Sequence, residues 1–221
     1  MKKLLTFAIM LCVGLSMNAD IRVISNVKLG NGYFPRFADA ETVTYLKAEN
    51  ASYLTTTVDD NAVLRVDNEN LELNLYRNGE KHVLKPHGDV NYIWASLSPD
   101  QTKILFNTKF GTAVCDLNGK EIVNVGNVNA PVWYGNDYIV GMNDQHDGYY
   151  FTSSNIVIAS VDGLERQELT DAKEMGYYPD VDAQSGRIVY HTENGQIRLM
   201  QLSLTENPIC NEKPRLVQQL D

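Results

Sequence analysis

The feature that most constrains this chain is the regular return of one kind of turn. Asn-Gly or Asp-Gly pairs stand at Gly79, Gly119 and Gly163, 40 and then 44 residues apart. A further 44 residues lead to the turn Thr205-Glu206-Asn207-Pro208. Such pairs between β-rich runs signal hairpins, because Asn, Asp and Gly tolerate positive φ. A period of about 40 to 45 residues with four strands in each is the signature of sheets arranged as propeller blades.

Strands fill the period. One unit reads 94–100, 103–108, 112–117 and 121–126. The next reads 130–135, 137–142, a long hairpin loop, 155–161 and 166–169. The last reads 177–183, 187–192, 196–204 and, after a loop, 214–220. Each opens with a Pro-containing strand after a loop and continues into a strand rich in Val, Ile and Leu, and no segment keeps a 3.6-residue apolar period. The expected class is all-β, a short β-propeller of four to five four-stranded antiparallel blades. Residues 32–50 read as the first two strands of a blade. Residues 53–58 and 62–67 add two strands around Asp59-Asp60-Asn61, as a hairpin insertion or as part of a fifth blade. The lone strand 21–29 is expected to complete the last blade and close the ring.

The N-terminus carries an address. Lys2 and Lys3 precede an apolar run over 4–15, followed by small and polar residues. That is the pattern of a secretory signal, too short to span a bilayer. Residues 1–19 are read as the signal, with cleavage after Ser16 or Ala19, and 20–221 as a single propeller domain. Met10 and Leu11 before Cys12 do not suit lipidation. The expected location is periplasmic or secreted, and the mature chain is expected to be soluble. A formal net charge of −9 at pH 7 repels phosphate backbones, and no basic stripe interleaves with aromatics, so nucleic acid is not an expected partner. Cys115 reads as a buried strand thiol and Cys210 as a loop thiol; a bridge between them is the alternative. No C-x-x-C pair offers redox or zinc chemistry. The sequon Asn50-Ala51-Ser52 is expected to be unmodified.

Leu97-Ser98-Pro99-Asp100-Gln101-Thr102-Lys103-Ile104-Leu105-Phe106 resembles the SPDG-x-x-I-x-F core of the WD40-like (PD40) repeats of TolB-like propellers. The family's D-x-x-G element has its match in Asp116-Leu117-Asn118-Gly119, and its closing Arg…Leu-Thr in Arg166, Leu169 and Thr170. Residues 178–190 repeat the frame with a degraded core. The resemblance covers about 90 to 204. It implies an exported bacterial envelope propeller. A rigid repeat scaffold without a recognisable catalytic constellation is in turn expected to bind a protein, peptide or glycan without catalysing a reaction. A TolB-type ring usually has six blades and a preceding α/β domain, more than this chain holds.

Candidate residues follow from these frames. Ser98, Pro99 and Asp100 read as a structural corner, since Asp hydrogen-bonds the backbone two residues on. Tyr33, Phe34, Tyr92, Trp94, Trp133, Tyr134, Tyr177 and Tyr178 recur at or just before first strands. They are either packing between blades or a ring of aromatics at a channel mouth that suits stacking on a sugar or gripping a peptide. Asp39, Asp180 and Asp182 stand at first-strand positions. The polar run Asn143-Asp144-Gln145-His146-Asp147-Gly148 is a solvated hairpin loop or a ligand loop. Its spacing resembles a calcium loop, but Ser154 stands where a bidentate carboxylate is needed. The ligand-binding set is thus Trp94, Trp133, Tyr178, Asp180, Asp182, Asp144, His146 and Asp147, with no metal and no cofactor. G-x-S-x-G is absent, His82, His87, His146 and His191 lack metal spacing, and no catalytic set is named. The alternative is a glycan- or peptide-active hydrolase using aspartates at the propeller mouth. Open blades also leave edges that an oligomer would pair.

Overall fold

The computed structural model describes residues 21–47, 63–204 and 215–218. The signal over 1–19, strand 53–58 with its turn, Asn50, the turn at 205–208 and Cys210 lie outside the described residues. Where it is described, the chain is β-strand almost throughout. In order it forms β1 (Arg22–Asn31), β2 (Tyr33–Asp39), β3 (Thr42–Leu46), β4 (Leu64–Asp67), β5 (Leu73–Arg77) and β6 (Glu80–Leu84). There follow β7 (Ile93–Leu97), β8 (Lys103–Thr108), β9 (Gly111–Asp116), β10 (Val123–Gly126), β11 (Asn129–Tyr134) and β12 (Tyr138–His146). The rest are β13 (Phe151–Ser160), β14 (Arg166–Glu168), β15 (Gly176–Asp182), β16 (Arg187–Thr192), β17 (Gln196–Ser203) and β18 (Arg215–Gln218).

These strands make five small sheets among the described residues: β18-β3-β2, β4-β5-β6, β10-β9-β8-β7, β11-β12-β13-β14 and β1-β17-β16-β15. Every pairing is antiparallel except β18 on β3, which is parallel. The sequence fixes why the sheets stack on one another. In a strand, successive side chains point to opposite faces. Ile104 and Phe106 of β8 pack with Leu73 and Leu75 of the β4–β6 sheet. Leu105 between them packs with Ile139 and Val157 of the next sheet. Along β13, Ile156 and Ile158 join Ile188, Tyr190 and Met200 of the last sheet. Along β16, Val189 meets Val43 of β3. A strand sandwiched between two neighbours has no wet face, so it reads as a continuous apolar run rather than an alternating one.

Turn chemistry sets the hairpins. Asn78 and Gly79 both take positive φ, 52° and 81°, the twist-matched geometry of a two-residue hairpin. At Gly119 and Gly163 the glycine alone is left-handed. There the preceding carboxylate closes the loop: Asp116 Oδ1 accepts from Asn118 N and Lys120 N, and Asp162 Oδ1 from Leu164 N and Ser160 Oγ. The Ser98–Asp100 corner works the same way, with Asp100 Oδ1 accepting from Ser98 Oγ and Thr102 N.

Three features differ from the sequence reading. The strand expected over 214–220 as part of the last sheet is β18 and pairs with β3 instead, while β1 takes the outer edge of the last sheet, as expected of 21–29. The ten-residue strand β1 occupies that edge of β17, so the C-terminal strand goes to another edge. Among the described residues, the two sheets β18-β3-β2 and β4-β5-β6 show three strands each, not four. Residues 143–154 are not a long loop: β12 and β13 stay paired from Tyr138↔Ser160 to His146↔Phe151, and only 147–150 turn. Polar side chains suggest a loop, but the ladder is backbone hydrogen bonding and does not require apolar ones.

A polar clasp holds β1 to the last sheet. Asn26 Nδ2 donates to Tyr190 Oη at 2.6 Å, and Tyr190 Oη donates to Glu174 Oε1 at 2.7 Å. Arg198 donates from Nε and Nη2 to Asn26 Oδ1 and O and lies 3.0 Å from Glu174 Oε1. Burial first, and then the Glu174 carboxylate, push the Tyr190 phenol well above its ordinary range. Replacing Tyr190 by Phe leaves Asn26 and Glu174 without this partner. It is expected to cost about 1–3 kcal/mol in urea unfolding; an unchanged midpoint would remove the clasp from the account.

Candidate functional site

Four first strands share one distortion. Pairing slips between Tyr33 and Arg36 in β2, Ile93 and Ser96 in β7, Asn129 and Val132 in β11, and Tyr177 and Asp180 in β15. Within each slip one non-glycine residue is left-handed: Phe34 at 50°, Trp94 at 52°, Ala130 at 44° and Tyr178 at 48°. The next residue is Pro35, Ala95, Pro131 or Pro179. Proline has no N–H to give the ladder, so three of these breaks are written into the sequence. A left-handed residue of this kind costs on the order of 1–3 kcal/mol and persists only where its surroundings impose it. Here the same break recurs in four sheets, and each time it redirects the strand at a common cavity.

That cavity has a volume of about 540 Å³ and takes residues from one strand of each of the five sheets: Arg36 of β2, Val66 and Asp67 of β4, Trp94 and Ser96 of β7, Val132 and Trp133 of β11, and Asp180 of β15. Asn68 and Glu69, at the end of β4, complete its polar side. The chain has two tryptophans, and both line this space.

The charged groups are held from behind. Asp180 Oδ2 accepts from Phe37 N at 2.7 Å, and Arg36 Nη1 lies 3.8 Å from its Oδ1. Burial pushes the Asp180 carboxyl above its usual range, against the pull of the Phe37 N–H and the Arg36 guanidinium. Asp67 goes the other way. Burial opposes its charge too, but bonds from Asn74 Nδ2, Glu69 N and Arg65 outweigh it and hold the group low. Arg65 Nη1 stands 2.9 Å from Asp67 Oδ2, and its guanidinium lies 3.5 Å over the ring of Tyr76. Asn68 Oδ1 accepts from Ala95 N at 3.3 Å, linking β4 to β7.

Of the residues singled out from sequence, Trp94, Trp133 and Asp180 come together at the cavity. The others stand elsewhere. Tyr178 stacks on His191 at 5.8 Å and tilts onto Phe34 at 4.9 Å. Asp182 is bonded to Ser185 Oγ and to Arg187 Nη2. Asp39, at the end of β2, is exposed and accepts from Glu41 N. Asp144 accepts from Asn129 Nδ2 at 2.7 Å, so it braces β11 against β12. His146 and Asp147 close the hairpin tip, where Asp147 Oδ1 accepts from Tyr149 N and Tyr150 N. Of the aromatics, Tyr92, Tyr134 and Tyr177 are buried packing residues. Arg36, Asp67, Asn68 and Glu69 were missed by the sequence reading; the cue was the polar run 67–70 closing a short strand. Among the described residues, no group of three or more His, Cys, Asp or Glu is placed to hold a metal ion, and no helix is long and apolar enough to cross a membrane. The buried Cys115 thiol is pushed up to about 12 by burial, which makes it a poor nucleophile.

No protein-family model matches the chain, and no curated protein matches it. Among solved structures, an ancestral GH74 enzyme is similar over 63% of this chain at 10% identity, with a TM-score of 0.41. The match spans 23% of that enzyme's length, and it assigns neither a family nor an activity.

His191 gives this region a pH dependence. It is buried among the rings of Tyr33, Phe34, Tyr177 and Tyr178. Its Nδ1 stands 3.2 Å from the Thr192 carbonyl, which only accepts, so Nδ1 carries the proton. Burial lowers its pKa to about 4 from 6.5. Between those values the unfolded chain binds a proton that the folded chain refuses, so this group removes stability as pH falls. The loss is about 3 kcal/mol by pH 4. Unfolding of His191→Phe and the parent from pH 7 to 4 is expected to show the parent losing more; parallel curves would contradict it.

Proposed function

We propose that the chain is an exported β-propeller of five small blades that acts as a non-enzymatic binding or scaffold protein, holding an envelope protein, peptide or glycan at its central cavity. One observation carries this reading: a strand from each of five sheets, four of them bent by the same bulge, lines a single concavity containing both tryptophans. Concave sites with aromatic walls and a few fixed polar groups are where ligands bind. Apolar clusters between successive sheets, and the addition of β1 to the last sheet, support ring closure by strand exchange. The signal-like segment 1–19 supports export. The TolB-like motifs around Ser98–Asp100 and Asp116–Gly119 support an envelope role.

A second reading, hydrolysis, draws on the raised pKa of Asp180, which suits a general acid. Asp182 is committed to Arg187 and Ser185, so the second carboxylate of such a site would be Asp67 or Glu69.

Retention of ligands from envelope extract, and on a glycan array, separates the two readings. Binding predicts capture without turnover, weakened more than about tenfold by Trp94→Ala and also weakened by Trp94→Phe, which keeps most of the packing. Hydrolysis of a glycan or peptide panel that disappears in Asp180→Asn would replace this reading with the enzymatic one.

A further inference from the structure

The charge balance of the cavity narrows its ligand. The lining holds three carboxylates, Asp67, Glu69 and Asp180, and one guanidinium, Arg36. Arg36 faces Asp180 at 3.8 Å, the long end of an ion pair. Arg65 balances Asp67 from outside the lining, at 2.9 Å. Glu69 is exposed, and its carboxylate has no hydrogen bond or ion pair among the described residues. Its position is fixed nonetheless. Glu69 opens a 3₁₀ turn, Glu69–Leu71, and buried Asn74 donates from Nδ2 both to the Glu69 carbonyl and to Asp67 Oδ1. The amide oxygen of Asn74 is buried without a donor of its own. Asn74 thus lies behind the wall, and on this side the lining itself presents the carboxylates of Asp67 and Glu69.

We infer that the cavity takes a basic peptide, seating a lysine ammonium or an arginine guanidinium between Glu69 and the tryptophan pair. This rests on the reading of the cavity as a binding site. A cation gains from both kinds of wall at once: the negative faces of Trp94 and Trp133 attract it by their quadrupoles, and Glu69 and Asp180 attract it by their charge. In a concavity that excludes part of the water these attractions are stronger than at an open surface. A phosphate or carboxylate ligand would meet the same carboxylates with Arg36 as its sole lining cation. A neutral glycan would find stacking faces and hydrogen bonds but nothing to use the uncompensated charge. The net charge of −9 adds long-range attraction for a basic partner. Three residues thereby take two roles: Glu69 supplies the unpaired charge, and Trp94 with Trp133 supplies the apolar walls.

Because both tryptophans of the chain line the cavity, their fluorescence reports its occupancy directly. The test titrates the full chain, at about 0.15 M salt to screen distant charges, with four probes. These are a capped hexapeptide bearing two lysines, the same peptide with both lysines acetylated, a hexapeptide bearing two glutamates, and a neutral hexasaccharide. The lysine peptide is expected to shift the emission and saturate, with the acetylated form at least about tenfold weaker, the scale of one charge-assisted contact. Glu69→Gln is expected to weaken the lysine peptide severalfold without changing the melting temperature, whereas Asp147→Asn at the far hairpin tip leaves binding unchanged. Equal binding of the acetylated peptide, or a response to the hexasaccharide alone, would overturn the charge inference and leave the cavity as a binding site. No emission change with any of the four would remove the cavity reading and the inference together.

Discussion

The antiparallel ladder between β1 and β17 fixes where the first described strands lie. It runs from Arg22↔Ser203 to Asn31↔Gln196, and the chain then has one residue, Gly32, before β2 begins. A strand leaving the end of that ladder enters the neighbouring sheet beside β15. Gly32 is required at this step, because a Cβ there would meet the Tyr45 ring at 2.1 Å. Its N–H donates to Gly195 O, so the crossing is tied to the β16–β17 hairpin as well. Once β2 lies beside β15, Phe37 N and Arg36 reach Asp180, and one wall of the cavity exists. The clasp of Asn26, Tyr190, Glu174 and Arg198 holds β1 to the same sheet through β16 and β17.

Two physical rules then account for the rest. Side-chain alternation lets each middle strand feed two neighbouring sheets, as Ile104 and Phe106 do on one face and Leu105 on the other. The inner edges cannot all stay regular, because first strands turned toward one concavity have no further strand to pair with on that side. The bulges at Phe34, Trp94, Ala130 and Tyr178 resolve this by breaking the ladder and re-aiming side chains, a frequent role of bulges near functional sites. The left-handed strain they hold is offset by packing: Trp94 and Tyr178 lie against one apolar cluster.

What could be read from the sequence was mostly local. Asn78-Gly79, Asn118-Gly119 and Asp162-Gly163 gave the hairpins because turn residues act within four positions of themselves. Pro35, Pro131 and Pro179 marked first strands because proline cannot serve a ladder. Trp94, Trp133 and Asp180 were found because they recur at those positions. Partner choice was less legible. The edge taken by 21–29 was anticipated, because a lone strand ahead of the first unit can complete the last one. Nothing in 215–218 says which edge it will take, since that depends on strands more than a hundred residues away. The polar run 143–147 read as a long loop, whereas the ladder continues through it to His146↔Phe151 and only the Asp147-Gly148 turn stands where it was expected. Asp67 and Glu69 were passed over because β4 lacks the bulge found in β2, β7, β11 and β15 and the proline found in three of them.

The pairing of β1 with β17 is the claim on which the cavity rests, and amide hydrogen exchange by NMR reads it residue by residue. The paired amides of residues 22–31 are expected to exchange as slowly as those of β17, on the timescale of global unfolding. Fast exchange throughout 22–31 beside a protected β17 would contradict the account, because the ladder that leads β2 to the side of β15 would then be absent.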